Sequence, residues 1–236
     1  MRYVAIGFVT LVLLMAVVFN ISKSRDFQLF GEIVNRVDTD EKIIALTFDD
    51  GPLPGATEKI ISILAQEQIP ATFFLTGREM ERYPDGAKKL IAAGHQIGNH
   101  SYSHPRMVFM SYQAVANEVA KTNELILNLG YKSEIVFRPP YGKKLLMLPL
   151  YLQRNNITTI IWDIEPETFS EVSASSEKIT EHVVAEAKPG SIILLHVMYP
   201  SGQTSMDAVP SIIRELKAQG YRFVTVNDLL TLTSRK

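Results

Sequence analysis

The sequence predicts an α/β fold, and within that class a closed (β/α) barrel rather than an open doubly wound sheet. Three observations predict it. After residue 40, short apolar runs alternate with amphipathic stretches, about seven times over. Glycines close several of the amphipathic stretches, at Gly94, Gly130 and Gly220, which is how helices commonly end. Polar residues able to do chemistry fall where the apolar runs stop. In a (β/α) barrel the carboxyl ends of the strands share one face, and active sites are built there.

The chain opens on an apolar segment. After Arg2, Tyr3 to Ile21 carries no charge. At about 1.5 Å of rise per residue, such a helix is long enough to cross a bilayer. Its exit, Val17-Val18-Phe19-Asn20-Ile21, is a poor site for signal cleavage. An uncleaved signal anchor is therefore expected over 1–24, with a cleaved signal peptide as the alternative. Arg2 and the amino terminus compete with Lys23 and Arg25 in setting its orientation. Residues 25–40 read as a juxtamembrane junction and 41–232 as one globular domain.

Composition excludes some classes. The 236 residues carry a formal net charge of -1, so no basic surface argues for nucleic acid. There is no cysteine, hence no disulfide, no thiolate nucleophile and no thiolate metal site.

Taken in order, Ile43–Phe48 reads as a buried strand and Thr57–Gln68 as a helix with Ile60, Ile61, Ile63 and Leu64 on its apolar face. Ala71–Leu75 is a strand, Pro84–Ala93 a helix and His95–Gly98 a short strand. Ser111–Leu129 is a long helix, Ile135–Phe137 a strand, and Lys144–Asn155 a helix despite Pro149. Thr158–Trp162 is a β-branched strand. Ser176–Ala187 is a helix and Ser191–Leu195 a strand. Ala208–Gln219 is the last helix and Phe223–Val226 the last strand.

The strand ends carry the candidates. Asp49 and Asp50 follow the first strand, and Gly51-Pro52 turns the chain after them. Two carboxylates in different environments take different jobs, one ionised on a metal and one poised as a base. His100 and His104 are spaced i, i+4, which on a helical turn puts both imidazoles on one face. Two histidines and a carboxylate leave positions open on a divalent ion. Zinc suits that set, and cobalt or another first-row ion would fit. Arg138 begins a stiff loop, Arg138-Pro139-Pro140-Tyr141-Gly142, and can hold a carboxylate bidentately. Asp163 and Glu165 follow the fifth strand. His196 ends the sixth, where it is either a satisfied histidine at the core edge or, on the barrel's active face, a general acid.

These motifs resemble the polysaccharide deacetylases with a NodB-homology domain, carbohydrate esterase family four. The resemblance runs from about Lys42 to Leu230 and rests on Thr47–Pro52, Asn99–His104, Arg138–Gly142 and Ser191–His196, in that order. It implies a distorted, seven-stranded barrel that removes acetyl groups from N-acetylglucosamine units of peptidoglycan, chitin-like polymer or exopolysaccharide. It implies Asp49 as catalytic base, and Asp50, His100 and His104 as metal ligands. His196 would be the general acid, Arg138 would orient Asp49, and the Tyr141 backbone N–H would face the developing oxyanion. An acetylated glycan is the implied partner. The expected place is the cell membrane with the catalytic domain outside the cytoplasm, or the periplasm or medium after signal cleavage.

One region departs from the family pattern. Alignment of Trp162 to Phe169 puts Thr168 and Phe169 where the family has an Asp-Trp pair, and Val197 stands where an Asp often follows the histidine. The carboxylate that would support His196 is then missing from its usual place. Asp163 is the expected substitute, with Glu165 behind it, and without either His196 would lose its proton at lower pH. Two other functions remain open on these residues. One is a membrane-tethered glycan-binding protein with weak chemistry. The other is an aspartate-nucleophile phosphatase, which wants Asp-x-Asp and a helper lysine and has no use for the histidine pair.

Overall fold

The computed structural model describes residues 2–232; Met1, the first residue of the expected anchor, and 233–236 lie outside the described residues. The elements are α1 (Arg2–Lys23), β1 (Ile33–Val34), β2 (Ile43–Asp49), α2 (Ala56–Gln66), β3 (Thr72–Leu75), α3 (Gly77–Arg82), α4 (Pro84–Ala92) and β4 (Gln96–Asn99). They continue as α5 (Tyr112–Asn128), α6 (Met147–Arg154), β5 (Thr159–Ile160), α7 (Ser176–Glu186), β6 (Ile192–His196), α8 (Gln203–Ala218), β7 (Arg222–Val224) and α9 (Val226–Leu230).

The hub is β2, with every residue buried. It lies parallel between β3 and β6, and β7 pairs with its first three residues. A strand covered on both faces needs a continuous apolar run, and Ile43 to Leu46 supplies it. β4 extends the sheet beyond β3. Phe137 then bridges Asn99 to Thr159, and Ile164 bridges to Ile193 of β6. The ring closes through these single bridges, which is the distortion of the barrel. The expected strand Ile135–Phe137 is therefore one bridging residue, because the rigid Pro139-Pro140 pair turns the chain immediately after Arg138.

Strand parity divides the core in two. Ile44, Leu46, Phe48, Ile193 and Leu195 point outward and pack against the helices with Ile60, Leu64, Ile212 and Ile213. Ile43, Ala45, Phe74, Val136, Ile192 and Leu194 fill the barrel with Trp162. Period-two alternation then puts Thr47, Asp49 and His196 on the inner parity. The lumen is narrow: a Cβ at Gly98 would lie 2.5 Å from the Phe74 ring, so only glycine fits there.

Helix ends follow their sequence signals. Ser111 caps α5 and Ser175 caps α7, each through its hydroxyl. Pro149 is tolerated because it falls in the first turn of α6, where its missing N–H costs nothing. α8 starts at Gln203, ahead of the expected Ala208, because Ser205 and Met206 are buried with the rest of its inner face. α3 and α9 are short and escape periodicity analysis.

The junction is no free tether. β1 pairs with β5, and the Val37 N–H donates to the Gly190 carbonyl at 2.9 Å. α1 carries an 18-residue window, Ile6–Lys23, of mean hydropathy 2.1 that is only 6% buried. Its 22 residues span about 33 Å, enough for a bilayer.

Gly190 tests the attachment of the junction. Its φ is +80°, and a Cβ there would lie 1.8 Å from the Val37 carbonyl oxygen. Gly190→Ala should lower stability by more than the roughly 1–2 kcal/mol of a left-handed L-residue, because the clash adds to it. Thermal unfolding checks this, and a parental melting temperature would contradict it.

Candidate active site

Asp49 is the last residue of β2, and its register partner on β6 is His196. Both sit at the carboxyl rim of the barrel on the inner parity. The Arg138 backbone pairs with Asn99 at the end of β4, and its buried side chain reaches inward beneath them. Its Nη1 donates to Asp49 Oδ1 at 2.6 Å and to Thr47 Oγ1 at 2.9 Å. Its Nη2 donates to the Ile161 carbonyl at 3.1 Å, and the guanidinium lies 3.9 Å from the Phe74 ring centre. Burial pushes the Asp49 carboxyl up. The charges of Arg138, His100 and His196, with the Arg138 hydrogen bond, outweigh burial and hold it below the usual carboxylate range. Asp49 is thus a buried, ionised and oriented carboxylate.

Asp50 is turned away from the strand by its left-handed backbone, φ 72°. That turn separates two adjacent carboxylates into two environments, as the Gly51-Pro52 signal led us to expect. Oδ1 of Asp50 lies 3.6 Å from Nε2 of His104. The Nδ1–H of His100 donates to the Arg138 carbonyl at 2.8 Å, which leaves its lone pair on Nε2. One ligand atom each from Asp50, His100 and His104 falls within 4.8 Å of the others. Burial, then the neighbouring His100, lower the pKa of His104 against the pull of Asp50, so its imidazole stays neutral, the form that ligates a metal.

The histidines do not meet on a helical turn. Residues 100–104 form an irregular loop in which Ser101 (φ 65°) and His104 (φ 58°) are left-handed. Their imidazole centres still lie 4.9 Å apart. The loop is held from outside. Glu118 of α5 accepts from the Tyr102 N–H at 2.9 Å, the Ser103 N–H at 2.8 Å and the Ser103 hydroxyl at 2.7 Å. Asn99 Oδ1 accepts from the Ser101 N–H at 2.8 Å. Tyr141 is a further left-handed residue, φ 59°, and its ring packs 4.6 Å from His104. Four of the six non-glycine residues with positive φ among the described residues, Asp50, Ser101, His104 and Tyr141, belong to this site. Such residues persist where the surrounding structure over-determines them.

The carboxylate beside His196 is Glu167. It lies in the turn Pro166–Thr168, one residue before the Thr168 position the alignment marked as vacant. Its Oε1 accepts from the His196 backbone N–H at 2.8 Å and from the Ser205 hydroxyl, and its Oε2 takes the short hydrogen bond from His196 Nδ1. Burial opposes the imidazolium, but the hydrogen bond and charge of Glu167, with Asp49 and Asp50, raise the His196 pKa to about 9. The charge sought from Asp163 or Glu165 is supplied by Glu167, so the loss of the His196 proton at lower pH, expected only without compensation, does not follow. Asp163 does not substitute: its carboxylate accepts from the Ser191 hydroxyl at 2.7 Å and the Ile192 N–H at 2.8 Å, at the opposite end of β6 from His196. Thr168 faces Glu165, donating at 2.7 Å. Glu165 also takes Trp162 Nε1 at 2.9 Å and Arg25 Nη2 at 2.6 Å.

A cleft of about 560 Å³ gathers Asp49, Asp50, His100, His104, Tyr141 and His196, with Trp162 and Glu165. Arg138 lies beneath it, and Asp163 and Thr168 do not line it. Three contributors were not legible as site residues: Glu167, and Lys23 at the end of α1 with Arg25 of the junction, which form part of the cleft wall. A second glutamate beside the Thr168 position was the one available signal for Glu167.

Comparison with known proteins places the chain. The polysaccharide deacetylase family model matches residues 36–160. A peptidoglycan-N-acetylglucosamine deacetylase of Bacillus cereus is 38% identical over 196 residues, covering 82% of this chain and 70% of its own. The peptidoglycan-N-acetylmuramic acid deacetylase PdaC of Bacillus subtilis is 36% identical over 194 residues, covering 82% of this chain and 40% of that longer protein. A crystal structure of a peptidoglycan N-acetylglucosamine deacetylase in complex with 4-naphthalen-1-yl-N-oxidanyl-benzamide superposes with a TM-score of 0.78 at 34% identity, over 83% of this chain and 91% of the other. With the motifs in order on a distorted barrel, the chain belongs to the polysaccharide deacetylase family, the NodB-homology hydrolases of carbohydrate esterase family four.

Proposed function

We propose that this protein hydrolyses the N-acetyl groups of peptidoglycan amino sugars, with Asp49 as base and His196 as acid, on a divalent ion held by Asp50, His100 and His104. The observation that carries it is the convergence on one cleft of an ionised Asp49, a three-residue ligand set and a protonated His196. The donor set fits a first-row ion, zinc before cobalt: one carboxylate and two neutral imidazoles, with the His100 tautomer fixed by a backbone carbonyl. A bound ion would polarise the acetamide carbonyl and acidify an attacking water. The relatives named for peptidoglycan support that polymer over chitin.

The chain's own groups divide the remaining work. Asp49, kept ionised by Arg138, accepts the proton of the attacking water as the carbon–oxygen bond forms. The His196 imidazolium, held by Glu167, gives its proton to the amine nitrogen as the carbon–nitrogen bond breaks. The products are acetate and a free amino sugar. Tyr141 lines the cleft, and in this reading its backbone N–H donates to the developing oxyanion. In this reading 1–24 anchors the chain in the cell membrane, 25–40 docks it, and 41–232 does the chemistry outside the cytoplasm.

Acetate release from purified peptidoglycan should be robust, and abolished by chelator and restored by zinc or cobalt. No release from peptidoglycan, with release from chitin oligomers, would overturn the choice of polymer. His100→Ala should lose both bound metal and activity. Asp49→Asn should keep its metal and lose about 10²–10⁴-fold in rate, the range for a general base. Metal content decides between them, and an empty Asp49→Asn protein would sink the division of roles.

Glu167 sets the pH response. The raised His196 pKa means the folded state holds this proton more tightly than the unfolded chain. That contribution to stability is complete below about 6.5 and is lost as pH rises through about 9. Glu167→Gln should lower the His196 pKa in an NMR titration of metal-free protein, flatten that loss of stability, and move the high-pH limb of kcat downward. An unmoved imidazole titration would refute the assignment.

A further inference from the structure

Just outside the cleft, the loop 106–110 projects uncovered apolar side chains. Met107 is 1% exposed and bridges Lys144, so the loop base is fixed in the domain. Two residues later, Phe109 is 84% exposed. Val108, Phe109 and Met110 form one side of a groove of about 770 Å³, and Leu14, Val18 and Phe19 of α1 form the other. Exposed loop tips are ordinarily polar, and a contiguous apolar patch of this kind marks a surface built to be covered.

Its cover follows from what bounds it. One wall is α1 itself, whose uncharged flank needs lipid. The apolar part of the groove descends from Phe19 to Leu14, about 6–13.5 Å from Lys23 down the helix axis. That is the depth of the headgroup and upper acyl region. Cations ring the upper end. Lys143 and Phe19 lie 5.0 Å apart in a cation–π contact, Lys23 lies 4.7 Å over the same ring, and Arg106 lies 4.8 Å over Tyr141. Among the described residues none of Lys23, Arg106 and Lys143 pairs with a carboxylate. Aliphatic and aromatic groups below and unpaired cations above are the arrangement of a chain lying in a phospholipid interface, with the cations at the phosphates.

We propose that residues 106–110 insert into the outer leaflet beside α1 and seat the mouth of the cleft on the membrane surface, so that the enzyme works on membrane-proximal glycan. This rests on the reading of α1 as an uncleaved anchor. Lys143 lines both the groove and the cleft, so a domain seated this way holds its active site at headgroup level.

The test places a reporter at the tip. Full-length Phe109→Trp is reconstituted in vesicles containing brominated phospholipid, and its emission is compared with the parent, whose one tryptophan is Trp162. Leu127→Trp, at an exposed position on α5, serves as the solvent control. The emission added at 109 should be strongly quenched and blue-shifted, and that added at 127 should be neither. Alkaline extraction of the same vesicles reads the anchor separately. Extraction of the whole chain would remove the anchor reading and this proposal with it. Retention of the chain with unquenched emission at 109 would overturn the insertion alone. Unquenched, blue-shifted emission that grows with protein density would assign the groove to a second copy and also overturn it.

Discussion

The ion pair between Arg138 and Asp49 is the constraint on which the rest of the structure depends. Both groups are buried, and removing two charges from water costs several kcal/mol apiece before their attraction is counted. The barrel meets that cost with geometry. Thr47 and the Ile161 carbonyl accept from Nη1 and Nη2, the Phe74 ring lies under the guanidinium, and Nε is left buried without a partner. Glycine at residue 98 leaves the room that the Phe74 ring needs. In return the lumen contains a fixed cation that orients Asp49 and favours its ionised form. The Arg138 carbonyl then holds His100 in one tautomer. One residue thus positions a candidate base through its side chain and a candidate ligand through its backbone.

The rim above this pair is made of irregular backbone, and the fold spends many hydrogen bonds to keep it so. Left-handed residues at Asp50, Ser101, His104 and Tyr141 would relax in a free loop. The carboxylate of Glu118, the amide of Asn99 and the first N–H groups of α3 hold the histidine loop, with Gly77 and Arg78 donating to the Ser101 and Tyr102 carbonyls. On the opposite rim Glu167 is satisfied three times over, by His196 twice and Ser205 once. Regular barrel strands set the height of the site, and loops clamped from outside set its shape.

The junction ties this site to α1. Lys144, 1% exposed, donates through its N–H to the Ser22 carbonyl at 3.0 Å and through Nζ to the Ser24 carbonyl. These are the carbonyls a helix end leaves unsatisfied, so the domain itself caps α1. Burial lowers the Lys144 pKa to about 8, with Lys143 adding to the effect. Arg25, a residue further on, closes the Glu165 network and stacks 4.9 Å from Trp162. The segment that follows the apolar helix is therefore part of the cleft wall.

The sequence by itself determined the class of fold, the order of its elements and the height at which the chemistry sits. It did so because strand parity and the boundary between apolar run and turn are local properties: Asp49, His100, Arg138 and His196 each end or follow a strand, and a barrel brings strand ends together. What the tertiary structure alone decided lies in the loops. The spacing of His100 and His104 suggested a helical turn, yet they meet through two left-handed residues held by Glu118, fifteen or so positions away. The partner of His196 came from Glu167, not Asp163 or the Thr168 position, because a turn has no fixed side-chain period and the longer glutamate reaches across where alignment by residue count expected a shorter acid. Periodicity carries information only where the backbone repeats, and at this site the backbone stops repeating just where the chemistry begins.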